Sequence, residues 1–189
     1  MKNIVLIGMM GCGKTTTGKL LSQTLGWDLA DTDQMIEDQE GRSIPEIFAD
    51  PGEAYFRDLE KKISASLARR ENLIIACGGG LPLREDCIAP LRDSGTVFFL
   101  NRDPGEIFDT VSMAGRPLGQ GGKAAFLERF ALREPVYRTW ADCIVDHPAT
   151  PAIAMAAILR TLGLDREPSR RGTWNLFENR QEGVKLCAF

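Results

Sequence analysis

The eight residues Gly8-Met9-Met10-Gly11-Cys12-Gly13-Lys14-Thr15 satisfy G-x-x-x-x-G-K-[ST] at every fixed position. A chance match somewhere in a chain of this length has odds on the order of one per cent. The residue types explain the chemistry. Glycines let backbone N–H groups approach phosphate oxygens, and a helix opening at the motif adds its positive dipole end. A lysine at position 14 reaches the β- and γ-phosphates, and a hydroxyl at position 15 suits Mg²⁺. Gly11, Cys12, Gly13, Lys14, Thr15 and Thr16 are therefore expected to bind ATP, with Mg²⁺ held in part by Thr15.

A second chemical cluster is Leu29-Ala30-Asp31-Thr32-Asp33-Gln34. On an extended backbone, Asp31 and Asp33 project to the same face. Like charges held that close repel, so the pairing needs a function. Phosphoryl transfer requires a further carboxylate near the metal. The apolar run Leu73–Ala76 supplies none, since it continues into Cys77-Gly78-Gly79-Gly80. If the strand carrying the two acids lies beside the first strand, Asp31 supports Mg²⁺ directly or through water, and Asp33 accepts a proton from an attacking hydroxyl. The alternative is that Asp-Thr-Asp caps the next helix, for which aspartate is favoured. Capping and catalysis can coexist at one residue.

These side chains need a scaffold. Ile4–Ile7, Leu73–Ala76, Thr96–Leu100 and Cys143–Val145 are short apolar runs of the kind that form buried parallel strands. Helical patterns separate them, including Thr15–Leu25, Glu53–Arg69 and Pro104–Met113. Ser43 with Glu46 and Asp103 with Glu106 have capping-box spacing. The alternation predicts an α/β fold, a three-layer αβα arrangement with helices on both faces of a central parallel sheet. Residues 1–162 read as one domain. The glycine-dense segment around residues 114–123 reads as a mobile lid, and residues 163–189 form a polar tail without an assigned role.

Composition narrows the field. The net charge of −3 argues against a broad nucleic-acid surface. Five cysteines without a C-x-x-C pair suit reduced thiols rather than a disulfide framework. A single histidine, His147, argues against a histidine metal cluster or a Ser-His triad. The four apolar residues at the N-terminus are too few for a secretory signal, and no run approaches membrane-spanning length. A cytoplasmic, monomeric protein with no membrane partner is expected.

Further motifs bring a resemblance into view. Phe56-Arg57-Asp58-Leu59-Glu60 is F-R-x-x-E, Gly78-Gly79-Gly80 follows a strand, and Arg116-Pro117-Leu118 falls in the lid segment. Arg133-Glu134-Pro135-Val136-Tyr137 is R-x-P-x-Y. In this order and at these intervals, from about Asn3 to Leu162, the chain resembles shikimate kinases. The resemblance implies a P-loop fold with a mobile lid and transfer of the ATP γ-phosphoryl group to the 3-hydroxyl of shikimate, on the route to chorismate and the aromatic amino acids. It implies that Asp33 binds the ring hydroxyls and acts as base, and that Arg57 and Arg133 grip the substrate carboxylate. Gly79 would approach the ring, Arg116 would reach the transferring phosphoryl group, Glu60 would support the site, and Phe48 and Phe56 would form its apolar walls.

Physics agrees with several of these roles. Planar guanidinium groups hold a carboxylate in fork geometry, which favours Arg over Lys at positions 57 and 133. Arg57 and Glu60 stand at i, i+3 on one helical face, so Glu60 can orient the guanidinium, although a plain surface ion pair has the same spacing. Arg133 could equally satisfy carbonyls at a helix end, and Arg116 could be a solvated loop charge.

Two departures from the family pattern bear on adenine, and the lid is short and the strand before the glycine run ends in Cys77 where a small hydroxyl residue is common. Family members usually carry an adenine-packing arginine shortly before the lid, and Glu106–Val111 supplies none. They often carry another after the last strand, where this chain reads Asp146-His147-Pro148-Ala149-Thr150. Other readings are a gluconate-type or nucleoside monophosphate kinase, or a nucleotide-binding module that has lost catalysis.

Overall fold

The computed structural model describes residues 2–110 and 121–165, together with the backbone of residues 185–186. The apolar run near the N-terminus forms β1 (Asn3–Ile7), buried at every residue. It lies in the middle of a parallel sheet with β2 (Asp28–Asp31), β3 (Leu73–Ala76), β4 (Gly95–Asn101) and β5 (Cys143–Asp146), in the order β2-β3-β1-β4-β5. A two-residue strand, β6 (Lys185–Leu186), extends the sheet beyond β5.

Successive strand residues point to opposite faces, and both faces are covered. Val5, Ile7, Ile75, Val97 and Phe99 join one core, closed by α2 (Thr32–Glu40), α3 (Ile44–Ala49), α4 (Glu53–Leu67) and α5 (Glu85–Ser94). Ile4, Leu6, Ile74, Phe98 and Leu100 join the other, closed mainly by α1 (Lys14–Leu25) and α8 (Pro151–Thr161). The short α6 (Pro104–Thr110) adds Ile107 to this second core. The long α7 (Gly122–Trp140) contributes Phe126 and Phe130 to the second core and Tyr137 to the first. The expected three-layer α/β architecture is observed, with the four expected strands inside β1, β3, β4 and β5.

Two expectations about β2 are corrected. It does not lie beside β1, because β3 runs between them, pairing Asp31 with Ala76 on one side and Leu6 with Ala76 on the other. Nor does the extended backbone reach Asp33. Asp31 ends the strand as the N-cap of α2, its Oδ1 accepting the N–H groups of Asp33 (3.1 Å) and Gln34 (3.4 Å). The two acids thus meet in the first turn of a helix, and the capping role at Asp31 is real.

Of the other start signals, the Ser43 N–H and hydroxyl both donate to Glu46 Oε2, at 2.7 and 2.6 Å. Asp103 Oδ1 accepts the Glu106 N–H at 2.8 Å. Helix α4 ends at Leu67, two residues before the expected Arg69, and residues 111–113 of the expected third helix lie outside the described residues. So do most of the lid segment, with Arg116, and most of the tail. The last two residues assigned to the lid, Gly122 and Lys123, belong to the first turn of α7. Cys12, Cys77 and Cys87 are free and buried, and Cys143 is buried. No described helix is long and apolar enough to cross a membrane.

Because the strands are parallel, the loops following β1, β2 and β3 emerge along one edge of the sheet. Chain connections from β1 and β4 lead in opposite directions, and a crevice opens at such a switch point.

Candidate active site

The phosphate loop connects β1 to α1. Gly8 has φ +142°, and a Cβ there would stand 2.8 Å from the Leu100 carbonyl oxygen, so no other residue fits. Helix α1 begins at Lys14 with no side-chain cap and no acid in its first turn. Its first N–H groups are therefore free for an anion. Lys14 is buried, with Nζ donating to the carbonyls of Gly8 and Met9 at 2.9 Å each. Burial opposes its charge, but Cys12, Tyr137 and the carboxylates of Asp33 and Asp31 outweigh that and hold its pKa above the ordinary lysine value. Cys12 is also buried, its Sγ 3.8 Å from Lys14 Nζ, whereas Thr16 is exposed on the first turn of α1.

Thr15 and Asp31 meet at the mouth of this loop, the Thr15 hydroxyl donating to Asp31 Oδ2 at 2.6 Å. Among the described residues no three acidic, histidine or cysteine side chains converge as a metal cage. Two oxygen ligands suit Mg²⁺, which keeps waters and takes phosphate oxygens rather than a full protein shell. The donor set fits the ion.

Asp33 lies deeper. Burial first, then the like charge of Asp31, raise its pKa to about 6, against the lowering effect of Lys14. A carboxylate poised there is a competent general base near neutral pH. Because kcat/KM reports the free enzyme, its profile is expected to rise with pH through about 6 and level off above. A flat profile from about pH 5 to 7.5 would contradict that role.

The three glycines after β3 each leave room for a different group. A Cβ at Gly78 would collide with the Asp33 carboxylate, and one at Gly80 would stand 2.9 Å from Arg57 Nη1. A Cβ at Gly79 would come within 3.4 Å of the Met10 backbone nitrogen. The turn is fastened from both sides. Thr32 Oγ1 accepts the Gly78 N–H at 2.8 Å, and the Tyr137 hydroxyl donates to the Gly79 carbonyl at 2.6 Å. Arg133, half-buried on α7, reaches the same carbonyl at 3.5 Å.

Arg57 is held by two acids of its own helix. Its Nη1 donates to Glu60 at 2.7 Å and its Nη2 to Glu53 at 2.9 Å. Glu60 is only 1% exposed, and burial raises its pKa against the pull of Arg57. The guanidinium carbon lies 5.4 Å from the Phe56 ring centroid and 6.0 Å from that of Phe48, whose rings pack 4.9 Å apart.

Residues 14, 15, 31, 33, 57, 60, 79 and 133 thus converge from five separate segments. Sequence reasoning missed Thr32 and Tyr137 as fasteners of the glycine turn. Tyr137 was findable, because it stands at i+4 from Arg133 and so shares its helical face. Nothing local marked Thr32.

A family model described as shikimate kinase matches residues 10–163. A shikimate kinase of Moorella thermoacetica is 42% identical over 159 residues, covering 82% of this chain and 90% of its own length. The solved shikimate kinase of Acinetobacter baumannii, in complex with shikimate, has a TM-score of 0.80 at 32% identity, over 87% of this chain and 93% of that one. A gluconokinase of Sinorhizobium meliloti has a TM-score of 0.51 at 19% identity, over 85% and 93%, which is a likeness of fold alone. The match in sequence, in fold and in the order of motifs around the crevice has one reading: the chain belongs to the shikimate kinase family.

Proposed function

We propose that this chain phosphorylates the 3-hydroxyl of shikimate with the γ-phosphoryl group of ATP, and that it does so as a monomer in the cytoplasm. The observation that carries the mechanism is the position of Asp33, lodged against Gly78 within electrostatic reach of Lys14, in the turn whose Gly79 and Gly80 meet Arg133 and Arg57; the acceptor hollow is assigned beside that turn. Arg57 and Arg133 hold the substrate carboxylate, with Glu60 orienting Arg57. Gly79 lets the ring lie on bare backbone, and Phe48 and Phe56 line the hollow. Asp33 takes the proton of the acceptor hydroxyl as its oxygen attacks the γ-phosphorus and the bond from phosphorus to the β-bridging oxygen breaks. ADP leaves with that electron pair.

Lys14 and the α1 amides stabilise the charge on the phosphates, with Gly11, Cys12, Gly13, Thr15 and Thr16 lining the nucleotide. Mg²⁺, when bound by Thr15 and Asp31, neutralises phosphate charge and orients the chain of phosphates. Arg116 and the rest of the lid are assigned from the resemblance: a cation on a glycine-rich segment adds charge at the phosphoryl group and excludes water on closure. Residues 1–162 make up the kinase domain.

A coupled ADP-release assay comparing shikimate with gluconate and nucleoside monophosphates tests the acceptor. Turnover is expected with shikimate alone, and preference for gluconate would overturn the assignment. Absence of turnover with any alcohol, with ADP binding intact, would favour the inactive module. Arg133→Ala is expected to raise the shikimate KM about 30-fold, with the ATP KM within about twofold. Equal changes in both would contradict carboxylate binding at Arg133.

A further inference from the structure

Arg57 poses a problem of charge. A guanidinium that grips a substrate carboxylate gains from being unopposed, yet this one is already held by two acids. The two are not alike. The Glu60 side chain is 1% exposed, whereas that of Glu53, in the first turn of α4, is 64% exposed. Water screens the charge of Glu53, so it opposes an incoming anion only weakly. Its hydrogen bonds keep their direction.

A guanidinium is planar and carries five N–H donors in fixed positions. Glu53 Oε1 accepts two of them, from Arg57 Nε at 3.2 Å and from Nη2 at 2.9 Å. Both lie along one side edge of the plane. Glu60 Oε2 accepts a third, from Nη1 at 2.7 Å. One N–H therefore remains on each of Nη1 and Nη2. Gly80 faces that end of the group. A Cβ at Gly80 would stand 2.9 Å from Nη1 and 3.5 Å from Nη2, within the hydrogen-bond reach of an oxygen and too close for a packed carbon. The space that this glycine leaves empty is where a carboxylate oxygen meets both nitrogens.

Anchored at Glu60 alone, the guanidinium could pivot about a single hydrogen bond. The paired bonds to Glu53 fix its rotation. We propose that Glu53 is a positioning residue for the acceptor carboxylate, holding the Nη1–Nη2 end of Arg57 toward the space beside Gly80. The inference rests on the reading of Arg57 as a carboxylate ligand and of shikimate as the acceptor. Simple electrostatics predicts the opposite sign, since removing an acid beside an anion site tightens binding. A plain surface ion pair at i, i+4 predicts no effect on the acceptor at all.

Steady-state kinetics of the full chain, wild type beside Glu53→Ala and Glu53→Gln, separate these outcomes. Glu53→Ala is expected to raise the shikimate KM about fivefold, with kcat and the ATP KM within about twofold. Glu53→Gln keeps an oxygen that accepts the same two N–H groups without the charge. It is expected to bring the shikimate KM back to within about twofold of wild type. An unchanged or lowered shikimate KM in Glu53→Ala would overturn the proposal. So would a Gln variant as impaired as the Ala variant, since charge and not direction would then be at work. A matching rise in the ATP KM would also overturn it, as the mark of general disruption. The wild-type arm isolates the acceptor reading. Failure to phosphorylate shikimate there removes that reading and this inference together, whereas normal wild-type turnover beside an unaffected Glu53→Ala removes this inference alone.

Discussion

Asp33→Asn is expected to lower kcat by about 10²–10⁴-fold, leave ADP binding within about twofold, and raise the melting temperature. The first effect follows from removing the proton acceptor while keeping the side-chain shape. The last follows from the cost of holding Asp33 charged. Its folded pKa of about 6 exceeds the ordinary value of 3.8, so the folded state binds the proton more tightly than the unfolded chain does. Charging Asp33 therefore destabilises the fold as pH rises between those values, and the cost is fully present above about 6. That difference corresponds to about 3 kcal/mol, and partial exposure to solvent reduces this to roughly 1–2 kcal/mol. The variant should gain that stability at pH 8 and almost none at pH 3. Full activity in Asp33→Asn would remove the base from the mechanism. A stability gain independent of pH would remove the electrostatic account.

Arg57→Ala is expected to lose about 100-fold in shikimate affinity and about 3 kcal/mol of stability, because it strands the buried Glu60 without its cation. The two losses have different origins, and a second substitution separates them. Adding Glu60→Gln removes the stranded charge, so most of the stability should return while shikimate affinity stays low. The stability loss in Arg57→Ala should also shrink in acid. Burial raises the Glu60 pKa even with Arg57 present, and without Arg57 it rises further. Protonation then relieves the penalty at low pH, and the penalty grows as pH rises through the carboxylate range. Urea unfolding at pH 4 and pH 8 measures this. If the double variant regained substrate affinity, Arg57 would be a structural ion-pair partner and not a carboxylate ligand.

Much of the scaffold was legible because it is local. β1, β3, β4 and β5 are continuous apolar runs, and burial on both faces of a parallel sheet requires such runs. The capping pairs Ser43–Glu46 and Asp103–Glu106 act within one helical turn, so spacing alone identifies them. Helix α7 was harder. It contains Pro135 and serves both cores, so no single apolar stripe marks it. The junction at Asp31 was ambiguous in the sequence, because alternation of side chains along a strand and helix capping both place Asp31 and Asp33 near one another. Only the hydrogen bonds from Asp33 and Gln34 to the Asp31 carboxylate decide between them.

Taken alone, the sequence determined the phosphate loop, the acids, the arginines and the alternation of strands and helices, since each depends on contacts within a few residues. The tertiary structure decided that β3 separates β1 from β2, that Gly78 makes room for Asp33, that Tyr137 and Thr32 fasten the glycine turn, and that Asn101 meets Asp146 across the ends of β4 and β5. Those pairings join residues 45 to 58 positions apart. Strand order and helix packing set them, and neither has a local signature.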